Sequence, residues 1–220
     1  YLTIGEQDNR QITVEEKLYC EELSHGNTKV MYYPVVFSRL SGHEFYVVKI
    51  NGSLIMPRNF DGYASGDGDS DINDGYIVLP HKGENINDYI LDVNSEEIPS
   101  DWYTTNKKGV RKLKKTYESR IPQKVYVTQS GAYSPAEPLD KMGFIEAIFV
   151  PSPLMYDPTA RVVYKGKQSE YSKLSRIGGE GRSTATTVLS YEDIILMQKM
   201  GIEQNDRKVL TFVDARQDAA

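Results

Sequence analysis

The sequence predicts an α+β chain: a β-rich region over residues 1–170, then the opening helix–strand–helix elements of an α/β domain over residues 171–220. Three observations carry this expectation. Short runs of Val, Ile, Tyr and Phe, broken by Ser-Gly, Asn-Gly and Pro, recur through the first two-thirds of the chain. Apolar residues then take helical spacing at Ile194, Ile195, Met197 and Met200. After them a short apolar stretch, 208–213, runs into a second helix-like segment, the alternation of a doubly wound domain. With 220 residues, 39% hydrophobic and 26% charged, the chain is long enough to bury a core and too apolar for a disordered polymer. No apolar run approaches the roughly 20 residues that a membrane-spanning helix needs.

Taken in order, residues 14–23 carry the charged, Leu-containing pattern of a helix of two to three turns stopping near Gly26. Residues 29–37 and 44–50 are strand-like, with Ser41 and Gly42 turning the chain between them. Asn51 and Gly52 lead into a third strand, 53–56, which Pro57 ends. Residues 62–75 alternate Gly, Ser and Asp and read as a loop. Asp67, Asp69 and Asp71 match the first ligands of a calcium loop, but Ile72 stands where the turn needs Gly and Val78 where a bidentate Glu closes the site. Residues 76–79, 124–129 and 143–150 are strands, the last apolar enough to be buried on both faces. A turn at 99–102 anchors the single Trp102, and Pro151, Pro153 and Pro158 make an irregular link before 161–164. Ser190 to Asp193 resembles a capping box that opens the helix, and Gly201 closes it.

The formal charge of −5 hides an asymmetry. Residues 61–101 hold eleven acids against one lysine, whereas 107–124 hold eight Lys and Arg against Glu118. This basic strip, with Lys112, Lys114 and Lys115 at its centre and Trp102, Tyr103, Tyr117 and Tyr126 beside it, suits contact with a phosphate backbone. A solvated face that balances the acidic segment is its plainer reading. A lone Cys20 excludes an internal disulfide, and His25, His43 and His81 are scattered without metal-ligand spacing, so no metal site is expected. No catalytic set emerges either. The start at Tyr1, without Met or a leader-like segment, reads as a fragment of a cytoplasmic protein.

Two segments are more specific. Residues 180–190, EGRSTATTVLS, and residues 212–219, which follow the pattern FxDxRQDA, resemble in order and separation a stretch of large bacterial superfamily-two DEAD/DEAH-box helicases. The resemblance implies that the last fifty or so residues begin the second RecA-like domain, and that the β-rich part is an insert between the two motor domains. Residues 34–46 resemble the family's PLVFCRECGQEYY. Neither cysteine of that pattern is present in this chain, which implies that it lacks the family's zinc and replaces it by hydrophobic packing.

There is no phosphate loop and no Asp-Glu-Ala-His box, so ATP and magnesium are expected only in the parent protein, on a first RecA-like domain that this chain does not contain. On this reading Arg182, Ser183, Thr186 and Thr187 in the Gly- and hydroxyl-rich loop, Arg216 and Gln217 past the last strand, and Lys112, Lys114 and Lys115 contact nucleic acid. The competing expectation is a stand-alone β module whose sixteen tyrosines form a face for protein or glycan.

Overall fold

The computed structural model describes residues 1–5, 9–25, 28–60, 73–92, 98–105, 109, 111–164, 168–176, 190, 193–194, 196–203 and 206–209. The chain divides into two compact units, Tyr1–Ser175 and Arg176–Ala220.

The first unit is built on antiparallel strands. β1 (Leu2–Thr3), β2 (Tyr19–His25) and β3 (Thr28–Tyr33) form a small sheet in the order β1-β3-β2. Pro34, which has no N–H for a ladder, separates β3 from β4 (Val35–Ser38). β4 then turns through Gly42, at φ 75°, into β5 (Glu44–Asn51), and β6 (Leu54–Pro57) folds back on β5. β7 (Asp74–Val78) pairs with β5. The ribbon β8 (Tyr103–Thr105) and β9 (Arg111–Leu113) precedes the short helix α1 (Lys115–Glu118). β10 (Gln123–Thr128), β11 (Tyr133–Ser134) and β12 (Phe144–Pro151) follow, then the ribbon β13 (Tyr156–Asp157) and β14 (Val162–Val163), helix α2 (Glu170–Lys173) and β15 (Leu174–Ser175). The large sheet runs β11-β10-β12-β7-β5-β4-β15, with β6 attached to β5. Because β15 pairs with β4, the first unit reaches Ser175, past the expected boundary at 170.

Both faces of the large sheet are covered, which explains why its central strands are continuous apolar runs rather than alternating ones. One face, with Tyr46, Val48, Ile77, Val127, Ala147 and Phe149, packs on Ile4, Met31 and Tyr33 from the small-sheet region. The opposite face, with Phe45, Val47, Tyr76, Val78, Ile148 and Val150, is covered by Phe60, Ile86, Tyr89, Leu154 and Leu174. Tyr32, Tyr33, Tyr46, Tyr76, Tyr89 and Tyr156 are all buried, so these six of the sixteen tyrosines lie in the interior.

Two expectations are corrected. Residues 19–25 are strand, not the end of a helix over 14–23: Cys20 pairs with Val30 and packs against Tyr32. Nor does hydrophobic packing fill the positions where the resembled pattern has cysteine. Ser38 is buried and donates its hydroxyl to Asp157 Oδ2 at 2.6 Å, and the Ser41 and Thr159 hydroxyls share a hydrogen bond of 2.6 Å. Asp157 Oδ1 also accepts the Thr159 and Ala160 amides, at 2.9 and 3.1 Å. A buried hydroxyl needs a partner, and a carboxylate-centred turn supplies it.

In the second unit, Ser190, Asp193, Ile194 and residues 196–199 are helical, and Gly201, at φ 77°, follows them. The expected strand at 208–213 and the helix after it lie largely outside the described residues. The same holds for most of the acidic loop at 62–75, although Asp74 and Gly75 belong to β7. Among the described residues, no helix is long and apolar enough to cross a membrane.

Candidate functional site

Two groups of side chains stand out in the first unit. The first is the basic ribbon. β8 and β9 pair with Tyr103 opposite Leu113, Thr104 opposite Lys112 and Thr105 opposite Arg111. The chain then enters α1, where Lys114 serves as N-cap. The ribbon is anchored by a small core of its own, in which Trp102 packs with Leu91, Ile98 and Tyr156, and Leu113, Tyr117 and Val163 close the margin. Trp102 stacks flat on Tyr117, with centroids 4.5 Å apart and planes at 5°. Arg111 lies over the Tyr103 ring at 3.9 Å, a cation–π contact.

On this anchored frame Arg111, Lys112, Lys114 and Lys115 are all exposed. Lys114 Nζ reaches the Asp101 carbonyl at 2.6 Å, which holds it along the turn before β8. The remaining described cations of the strip do not join them. Arg120 donates to the Ser152 carbonyl, and Lys124 pairs with Glu146 on β12 at 2.7 Å. Among the described residues, the exposed positive surface of the strip is therefore the short stretch from 111 to 115. Arg182, Ser183, Thr186, Thr187, Arg216 and Gln217 lie outside the described residues.

The second group is one that sequence spacing did not disclose. His43 and Glu44 sit where the β4–β5 turn enters β5, and His81 follows β7, so the β5–β7 pairing brings residues nearly forty positions apart in sequence to one sheet end. The two imidazoles stack with centroids 3.9 Å apart and planes at 11°. His43 Nε2 donates to the Leu79 carbonyl at 2.8 Å, and Tyr89 meets the His43 ring edge-on. His81 Nε2 donates to Glu44 Oε2 at 2.7 Å, while Arg10 Nη1 binds Glu44 Oε1 at 2.5 Å. The His81 amide donates to Glu84 Oε2 at 2.7 Å, and Tyr89 also donates its hydroxyl to Glu84.

The electrostatics follow from this geometry. Burial pushes the His43 imidazole below its usual value, so His43 favours the neutral form. Burial alone would raise Glu44, but the His81 hydrogen bond, backbone hydrogen bonding and the neighbouring imidazoles together hold its carboxyl below the usual range. Glu84 is lowered chiefly by the Tyr89 hydroxyl. An ionised carboxylate, a neutral buried imidazole and a second, partly exposed imidazole thus share one corner of the fold.

Comparison with family models, with curated proteins and with solved structures finds no match to this chain.

Proposed function

We propose that this chain is part of an ATP-dependent helicase or translocase, in which the β-rich unit is an accessory insert that engages nucleic acid and the second unit opens the rear motor domain. The observation that carries the nucleic-acid reading is the exposed run Arg111, Lys112, Lys114 and Lys115, from the end of the ribbon into α1, beside the Trp102–Tyr117 stack. Lysines on a preformed ribbon neutralise phosphates and release counterions without needing a base-specific contact. The motor reading is supported by the motifs at 180–190 and 212–219. It is also supported by the helix around Asp193–Ile194, whose Ile194 and Leu196 are exposed, a surface that an α/β layer would cover. Catalysis of ATP hydrolysis belongs, on this reading, to a phosphate loop elsewhere in the parent protein.

A salt titration of duplex DNA binding by the full 220-residue chain tests the proposal. Each phosphate contact contributes about −0.9 to the slope of log K against log salt, so the triple variant K112Q/K114Q/K115Q should flatten the slope by about 2 to 3. An unchanged slope and affinity would remove the ribbon as the contact surface. Binding insensitive to salt would favour a protein or glycan partner.

A further inference from the structure

We propose that His43, Glu44 and His81 form a binding site for a zinc-class divalent metal ion, independent of the basic ribbon and built by the pairing of β5 with β7. One ligand atom from each of the three residues lies within 4.8 Å of the other two, close enough for a side-chain adjustment to bring all three to one ion. Two imidazoles and one carboxylate are a donor set that zinc accepts readily, with a fourth position left to water.

The surroundings of each donor are those of a prepared ligand. His43 is 5% exposed and its Nε2–H is committed to the Leu79 carbonyl, which fixes the tautomer and leaves Nδ1 as the lone-pair nitrogen. Arg10 holds Oε1 of Glu44, so Oε2 is the oxygen turned to the histidine side. That oxygen now receives the His81 Nε2 proton, and a metal ion would take the proton's place between nitrogen and oxygen. Glu84 is not counted as a ligand, because it accepts from the His81 amide and from Tyr89. It instead braces the loop that carries His81.

The stacked arrangement sets a condition. A metal lies near the plane of each imidazole it binds, so two rings 3.9 Å apart and nearly parallel do not both coordinate without one of them turning. His81 is the ring that turns: its side chain is 37% exposed, whereas His43 is buried and tethered. Metal uptake therefore breaks the His43–His81 stack and bridges the β4–β5 turn to the loop after β7.

The test is calorimetric titration of zinc chloride into the chelator-treated, tag-free 220-residue chain, read beside imidazole NMR signals. One zinc per chain is expected, with the signals of two histidines shifting together. H81A should lose binding, and E44Q should weaken it by about tenfold or more. C20S should bind as the parent does. H81A changes a partly exposed loop side chain, so it should keep the parent's circular dichroism, which separates lost ligation from lost fold. No zinc uptake by the parent chain, or uptake that H81A leaves unchanged or C20S abolishes, would overturn the proposal.

Discussion

Glu170 and Lys173 form a buried ion pair one helical turn apart, with Nζ 2.9 Å from Oε1. The pair is tolerable because almost every polar atom in it is answered. Lys173 also donates to the Leu154 carbonyl at 2.7 Å, Glu170 accepts from the Leu154 amide, and Tyr76 donates its hydroxyl to Glu170 Oε2 at 2.6 Å. Burial first, and then the Glu170 carboxylate, push the Tyr76 hydroxyl well above its ordinary value, so it remains a donor. Removing one member leaves the other charged and dry. K173M should therefore lose about 3–5 kcal/mol in urea unfolding, and E170Q/K173M should recover part of that loss because the stranded charge is gone. Ser38 makes the same argument on a smaller footing. S38A would strip Asp157 of its 2.6 Å donor inside the fold and should cost about 1–3 kcal/mol by the same measurement.

The strands of the large sheet are crowded enough that a single methyl group matters. Gly75 sits in β7 between Val48 of β5 and Pro151 of β12. A Cβ there would lie 2.5 Å from the Val150 carbonyl oxygen and 2.7 Å from the Phe149 ring, so the backbone ladder itself must give way. G75A should destabilise the first unit by about 3 kcal/mol, seen as a lower urea midpoint with an unchanged m-value. A midpoint like that of the parent would mean that β7 and β12 are less closely packed than this. The same strands were the most legible part of the sequence, since β-branched and aromatic runs such as 44–50, 124–129 and 143–150 have no competing reading as amphipathic helices. Residues 14–23 misled because Glu and Leu favour helix locally, while Cys20 is drawn into the β2–β3 pair by burial against Val30 and Tyr32. Nor could spacing reveal the His43–His81 stack. It arises from the register of β5 on β7, and no local pattern in either segment encodes which strands lie side by side.

All four apolar clusters of the chain's described residues lie between Tyr1 and Leu174. Within the first unit both faces of the main sheet are covered by its own segments, and β15 brings the end of the unit back onto β4. The helix in the second unit contrasts with this, since Ile194 and Leu196 are exposed. The β-rich character of the body was readable from composition and period, because covered strands write short apolar runs between turn residues. The exact limit was not, because Leu174 and Ser175 look like neither and are strand only by pairing with Ser38 and Phe37. A chain of residues 1–175 should consequently unfold in one cooperative transition. Ending the chain at residue 170 instead removes β15 and Lys173, uncovering the β4 edge and leaving Glu170 without its cation. The shorter chain should unfold at a lower midpoint, and K173M in the 1–175 chain should account for much of that difference. If 1–170 and 1–175 were equally stable in urea, the ion pair and the last strand would be ornaments of the fold rather than part of what closes it.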